Sequence, residues 1–423
     1  MKILVLNSGS SSQKLSLYEI GDALPENPPT PVWEGRIEWN GDTAAITVRN
    51  SKGIARKKKL NRLSSEGVLK DLLATLWSGE TRGIASAADI DAVGHRVVHG
   101  GPHFHDPIRI SNDVYAAIGD LSHFAPLHIP LELEGVKIVA DLLGEVPQFA
   151  VFDTGFHRHM PAVAQTYPGP HQWFEMGIRR YGFHGINHQY CATRAAQLIR
   201  KDLDSLKIVS CHLGNGCSVT GIRGGRSVDT TMGFTPLDGL MMGTRSGSVD
   251  PGILIFLMRQ HGFDADQIDD MLNKKSGLLG ISGVSGDMRD ILDGMRTGNG
   301  RAKLAFDLYT YGLRTAIGKM AAALEGLDVL VFTAGVGENS HEVRAATCKG
   351  LEFLGITMDL NRNKESLLDR EISSPDSRAR VLVIRAAEDW AIAGECWKLG
   401  CCPGGGGLLA PGYGIDEDRP GQP

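Results

Sequence analysis

Three kinds of residue in this chain are spaced for chemistry. The first are glycines in two short clusters, Gly214-Asn215-Gly216 and Gly335-Val336-Gly337-Glu338-Asn339, each directly after an apolar run. Glycine lets the backbone turn sharply and approach a ligand closely, and the N–H groups exposed in such turns can hold phosphate oxygens. A further polar turn, Ser8-Gly9-Ser10-Ser11-Ser12, follows the first apolar run. The second kind is arginine: Arg96 in Gly94-His95-Arg96-Val97-Val98-His99-Gly100, and Arg245 in Met242-Gly243-Thr244-Arg245-Ser246-Gly247. A guanidinium among glycines suits two-point contact with phosphate or carboxylate, with a structural ion pair as the plainer alternative. The third is histidine, with twelve of the fourteen between positions 95 and 212. His184 and His188 have the helical spacing of metal ligands, but no Glu follows His184, so H-E-x-x-H is absent and hydrogen-bonded core or cleft histidines are the better reading. There is no G-x-x-x-x-G-K-S/T, and no G-x-G-x-x-G after the first strand. The glycine clusters together point to a nucleotide cleft, with merely structural turns as the alternative, and neither a Walker P-loop nor a dinucleotide fold is indicated.

Positioning these groups requires strands that end at the turns. Residues 2–7 read as a buried strand and 14–20 as its return. Residues 206–211, the turn His212-Leu213-Gly214-Asn215-Gly216, and residues 218–222 repeat the arrangement. The repeat is weak in identity, yet it points to two related domains, each setting a phosphate-sized turn at a shared cleft. Further strands are expected at 92–98, 148–152, 328–333 and 380–384, with an irregular, charged stretch between the last two. Leu304, Ala305, Leu308, Leu313, Ile317, Met320, Ala321 and Leu324 recur mostly three and four apart, predicting one apolar stripe on a helix over 302–324. A second helix is expected over 388–399, with Ala391, Ile392 and Trp397 available for packing. Alternating strands and helices make an α/β protein. The Gly- and Pro-rich end reads as a flexible tail without a catalytic role.

A chain of 423 residues, 42% hydrophobic and 22% charged, suggests two or three domains and excludes wholesale disorder or a fibre. The net charge of −5 offers no support for a nucleic-acid or membrane partner. Arg56, Lys57, Lys58, Lys59 and Arg62 form the strongest basic run and read as a solvated hairpin or loop face. Seven cysteines without C-x-x-C argue against a disulfide framework or zinc knuckle. The apolar start is too short for a signal peptide and no run is long enough to span a bilayer, as in a cytosolic protein.

Taken together and in order, the motifs resemble the acetate/propionate/butyrate kinase family of the actin, sugar-kinase and Hsp70 fold class. The matching strings begin with Asn7-Ser8-Gly9-Ser10-Ser11-Ser12, the Gly94 to Gly101 segment, Ala125-Pro126-Leu127-His128, and Phe152-Asp153-Thr154-Gly155-Phe156-His157. They continue through Arg180-Tyr181-Gly182-Phe183-His184-Gly185, the His212 to Gly216 turn, the Asp229 to Pro236 segment, Met241 to Gly247 and Gly335 to Asn339. Together they cover roughly residues 1–397.

The resemblance implies two similar lobes of the actin-like ATPase (ribonuclease H-like) fold with a nucleotide cleft between them. One lobe would comprise 1–152 plus 390–400, the other 153–389 with most ATP contacts, and 401–423 would be the tail. The implied activity is reversible, Mg²⁺-dependent phosphoryl transfer from ATP to acetate, giving ADP and acetyl phosphate. Mn²⁺ is expected to substitute, and the protein to be a cytoplasmic homodimer. Asn7 and Glu388 match the metal-site residues. Lys14, His212, Leu213, Gly214, Asn215, Gly216, Asp287, Met288, Arg289, Gly335, Val336, Gly337, Glu338 and Asn339 match the ATP-binding segments. Arg96 matches a contact to the substrate carboxylate, and Arg245 and His184 match groups on the transferring phosphoryl. Asp153 matches the position assigned proton transfer. Acetate is already ionised at neutral pH, so orienting hydrated Mg²⁺ and balancing the arginines is the more economical task for Asp153. Val98, Leu127, Pro236 and Phe183 would surround the acyl group and favour acetate. Departures from the pattern are Ile129, Gly155, Ile186-Asn187 and Ala387. The alternatives are a propionate or butyrate kinase with a wider pocket, and a non-enzymatic, nucleotide-driven binding protein of the same fold.

Overall fold

In the computed structural model, the described residues are 1–9, 12–40, 43–61, 65–365, 367 and 369–401. Ser10, Ser11, Arg62 and the expected tail from Cys402 onward lie outside them.

The first 152 residues build an eight-stranded sheet in the order β5-β4-β3-β2-β1-β6-β8-β7. Its strands are β1 (Lys2–Ser8), β2 (Ser12–Glu19), β3 (Trp33–Asn40), β4 (Thr43–Asn50), β5 (Ala55–Asn61), β6 (Ala92–Val97), β7 (Ile108–Arg109) and β8 (Gln148–Phe152). A six-stranded sheet follows, ordered β11-β10-β9-β12-β14-β13. It contains β9 (Lys207–Leu213), β10 (Cys217–Arg223), β11 (Arg226–Thr230), β12 (Val329–Thr333), β13 (Arg370–Glu371) and β14 (Arg380–Val383). The weak repeat is a topological one. In the first sheet β1 pairs antiparallel with β2 and parallel with β6, which pairs parallel with β8. In the second, β9 pairs antiparallel with β10 and parallel with β12, which pairs parallel with β14.

This wiring explains the residue patterns. Ile3, Leu4, Val5 and Leu6 form an unbroken buried run because β1 is central and covered on both faces. The helix Glu388–Cys401 covers one face, burying Ile392, Ala393 and Cys396 with Ile3 and Val5. Arg56 to Lys59 lie on β5, an exposed edge strand where charge discourages pairing with another chain. The parallel strands β1, β6, β8, β9 and β12 carry Asn7, Arg96, Asp153, His212 and Thr333 at or just beyond their carboxyl ends. That is where open α/β sheets bind ligands.

Two expectations change. The long helix runs Gly300–Leu324, but its buried face is Ala302, Ala305, Phe306, Tyr309, Leu313, Ile317, Met320, Ala321 and Leu324. Leu304 and Leu308 are 51% and 42% exposed, because period alone does not separate a core stripe from an apolar outer one. The charged stretch between β12 and β14 is largely ordered, with helices Ala334–Asn339, His341–Cys348 and Leu360–Lys364. Arg362 and Lys364 are exposed, while Val343, Cys348 and the charged Arg344 are buried. Among the described residues, no helix is long and apolar enough to cross a membrane.

Candidate active site

Arg96 and Asp153 sit at the ends of neighbouring parallel strands. Arg96 Nη2 donates to Asp153 Oδ2 at 2.8 Å, and Arg96 Nη1 donates to the Ser8 carbonyl at 3.1 Å. Both side chains are buried, and Arg96 Nε and Asp153 Oδ1 have no hydrogen-bond partner among the described residues. Burial opposes ionisation of Asp153, but Arg96, then His184, outweigh it and hold the carboxyl below the usual aspartate value. A buried ion pair with spare polar atoms is poor as pure scaffolding, since replacing it by apolar groups commonly costs nothing.

Asp153 Oδ2 also accepts from the His184 backbone N–H at 2.9 Å. His184 caps the helix Gly185–Ile199 in a left-handed conformation, φ 57°, which is unfavourable for a non-glycine residue and concentrates at functional sites. Its ring stacks on His212 with centroids 3.9 Å apart. Burial and the arginines push His184 down to about 4 despite Asp153, so the imidazole is neutral at neutral pH. Asn187 Nδ2 donates to His212 Nδ1 at 2.8 Å, which leaves the proton of neutral His212 on Nε2. His188 instead spends both ring nitrogens on Ser210 and Ser218, so the 184/188 pair is not a chelate. The group whose ligand atoms do converge is His184, His212 and Glu388.

The loop Gly214-Asn215-Gly216 joins β9 to β10. Neither glycine has positive φ. Space is what favours Gly216, for a Cβ there would crowd His184 Nε2 at 3.1 Å and meet Arg245 Nη1 at 3.7 Å. The second cluster also differs from a glycine turn: Gly335 to Asn339 lie in the short helix Ala334–Asn339, and the positive φ (65°) belongs to Ala334. Arg245 Nη1 donates to the Pro236 carbonyl at 3.1 Å and has no carboxylate partner among the described residues.

Asn7, Glu388 and Asp389 form the opposite wall. Asn7 Nδ2 donates to Glu388 Oε2 at 3.1 Å and to Asp389 Oδ1 at 3.0 Å. Burial raises the Glu388 carboxyl, against the pull of Arg96. Asp389, which the sequence reading passed over, also accepts from Ser16 Oγ at 2.7 Å and pairs with Lys14 Nζ at 2.8 Å. Lys14 therefore stands with Asn7 rather than with the second-sheet turns. Of the other nucleotide-segment residues, Glu338 accepts from the Ala386 N–H and Asn339 donates to the Gly335 carbonyl. Asp287 and Arg289 pair with each other, while Met288 and Leu213 point into the core. Val98 and Phe183 are buried in that same core, and Leu127 is 66% exposed.

This geometry has relatives. Residues 2–394 match the acetokinase family. The chain belongs to that family. It is 55% identical over 401 residues to an acetate kinase of a Cyanothece species, covering 94% of this chain and 98% of that one. Among solved structures it superposes on Porphyromonas gingivalis acetate kinase with TM-score 0.86 at 40% identity, covering 94% and 99% of the two chains. It also superposes on a Francisella tularensis propionate kinase with TM-score 0.85 at 35% identity, again covering 94% and 99%. The acetokinase reaction is reversible phosphoryl transfer from ATP to acetate, giving acetyl phosphate and ADP, and the chain is a phosphotransferase with a carboxylate acceptor. Acetokinase family members use ATP and Mg²⁺. Its architecture is the two-lobed actin-like fold.

Asp389 had a faint signal in the sequence, a second acid directly after Glu388 at a helix start. Glu132, buried behind Val98, had none, since one Glu in an amphipathic helix looks like solvated surface.

Proposed function

We propose that ATP and acetate meet between Arg96 and Arg245, with Asp153, His184 and the β9–β10 loop holding the reacting groups. Arg245 is the observation that carries this reading: a largely buried guanidinium beside His184 and without a counter-ion among the described residues is a site for an anion. Phosphoryl transfer is mainly positioning and electrostatics. Two guanidinium groups offset the repulsion between an incoming carboxylate and the phosphoryl oxygens. Neutral His184 donates a hydrogen bond to those oxygens without adding charge. Acetate needs no deprotonation, so Asp153 serves to hold Arg96 and to orient metal-bound water. Asn7 and Glu388 would hold Mg²⁺, directly or through water. Asn7 spends its amide hydrogens on two carboxylates, which leaves its Oδ1 as a hard acceptor, and Asp153 Oδ1 is a buried acceptor without a partner among the described residues. When bound, Mg²⁺ neutralises phosphate charge. The lobes divide near residues 152 and 390, as the two sheets suggest, and the lack of a spanning helix among the described residues agrees with a cytoplasmic enzyme.

Acetate rather than a longer acid is the acceptor favoured by Val98, Leu127, Pro236 and Phe183. Apolar pockets separate homologues by about 10- to 200-fold per methylene, so kcat/KM should fall in the order acetate, propionate, butyrate. Val98→Ala should narrow the gap through propionate while leaving the ATP KM in place. Hydroxamate trapping of the acyl phosphate measures all three acids in parallel. A wild-type preference for butyrate would overturn the acetate reading and leave the acyl-kinase mechanism standing.

We also infer a homodimer. The helix Pro251–His261 buries none of its residues and exposes Ile253, Ile255, Phe256 and Met258, while Leu304, Leu308 and Tyr311 are exposed on the long helix. Exposed apolar surface of this kind marks a protein contact. Phe256→Asp should shift the sedimentation coefficient from dimer to monomer, and a wild-type protein that sediments as a monomer would refute the inference.

A further inference from the structure

Glu132 lies in the first turn of the helix Ile129–Leu143 and is 4% exposed. Its two carboxyl oxygens sit 3.2 and 3.1 Å from the Val98 nitrogen and accept its hydrogen. This bond has a topological cause. β6 ends at Val97, whose carbonyl accepts from the Asp153 N–H at 2.8 Å. The next amide, that of Val98, has run past the strand ladder, and burying it without an acceptor would be costly. Glu132 therefore caps the strand from a neighbouring helix.

Glu132 also lines a cavity of about 290 Å³, together with Ser8, Gly9, Gln13, Leu127 and His128 among others. Glu132 is thus linked to two of the proposed acyl-pocket residues, by its bond to the Val98 amide and by lining one cavity with Leu127. A polar group at that wall discourages an acyl chain from extending into the cavity, because it would bury a carboxyl against hydrocarbon. We infer that Glu132 is a positioning residue for acyl-chain selectivity: it fixes Val98 at the depth where it meets the substrate methyl and closes the space behind Leu127 to longer acids. The inference rests on the assignment of Val98 and Leu127 to the acyl pocket.

Its protonation state suits the task. Burial raises the Glu132 carboxyl to about 8, against Arg96 and the Val98 amide and with help from Asp153. The titratable and charged groups facing it are Arg96 on β6, Asp153 after β8 and His128 ahead of its own helix; Glu134, farther along that helix, is bonded to Ser65. Burial and the two arginines push His128 down to about 4, so it is neutral around pH 8. Below pH 8 Glu132 is mostly neutral and leaves the charge of Arg96 to the substrate. Above it, an ionised Glu132 competes with acetate for Arg96, so the acetate KM should rise.

The test is kcat/KM for acetate and propionate with wild type, Glu132→Ala, Glu132→Gln and Val98→Ala. Glu132→Ala should narrow the acetate preference by at least about tenfold, the scale of one methylene, with the ATP KM little changed. Glu132→Gln keeps an uncharged carbonyl acceptor for Val98, so it should restore the discrimination and abolish the alkaline rise in acetate KM. Equal losses for both acids in Glu132→Ala would assign it a merely structural role and overturn the inference. If Val98→Ala narrows the gap and Glu132→Ala does not, only the Glu132 inference fails. If neither does, the pocket assignment fails with it. Should Glu132→Ala not fold, the pH profile of acetate KM in Glu132→Gln decides: a profile like that of wild type overturns the inference.

Discussion

Arg245→Ala is expected to lower kcat at least about a hundredfold, the scale seen when one preorganised transition-state donor is removed. The reasoning starts from its surroundings. Arg245 is largely buried, bonded to the Pro236 carbonyl, and without a carboxylate partner among the described residues. Its charge is thus held in a poorly solvated site and gains most where negative charge accumulates, on the phosphoryl group in transit. An interaction that strengthens in the transition state appears in kcat, whereas uniform binding appears in KM. The ATP KM should accordingly change much less than kcat. Arg245→Lys should recover only part of the rate, because an ammonium lacks the planar fork. Steady-state kinetics in both directions checks this, and a loss of only about twofold would remove Arg245 from the transfer site.

Arg96→Ala should have the largest effect on both activity and stability. Its partner Asp153 is buried, and deleting one member of a buried ion pair costs about 3–5 kcal/mol because the other charge is left uncompensated. In the wild type the Asp153 carboxyl is held below its ordinary value. Its ionisation therefore favours the fold above the unfolded value of about 3.9, and that contribution is lost as the pH falls through the folded value. Without Arg96, burial dominates and raises the folded value, so ionising Asp153 opposes folding as the pH rises. The stability difference between wild type and Arg96→Ala should consequently be larger at pH 7 than at pH 4. Chemical denaturation at the two pH values measures it. Under the proposed contact of Arg96 with the substrate carboxylate, the acetate KM should rise as well, since Arg96 Nε has no partner among the described residues. A small loss independent of pH would argue against the pair.

Much of the candidate site was legible as a grouping because its residues sit in contiguous strings. Asn7, Arg96, Asp153 and His212 each close a strand, and a strand followed by a polar turn is readable from period and composition. The paired-sheet repeat was legible for the same reason. Side-chain destinations were not. Lys14, grouped by sequence with the ATP segments, is engaged by Asp389. Met288 packs into the core although Arg289 beside it is exposed. Leu304 and Leu308 match the stripe of their helix and lie on its outer side.

The chain by itself determined the α/β class, the strand-and-turn order, the family and the reaction, because these depend on local period and on motifs read in succession. The tertiary structure decided which polar atoms meet across long separations: Asn7 with Glu388 and Asp389, Arg96 with Asp153, and Glu132 with the Val98 amide. It also decided that Gly216 is favoured by the nearness of His184 and not by its own backbone angle. The physical reason is common to all of these. Pairing and close approach depend on where two sheets and the helices over them finally pack, and no residue carries that distance in its type.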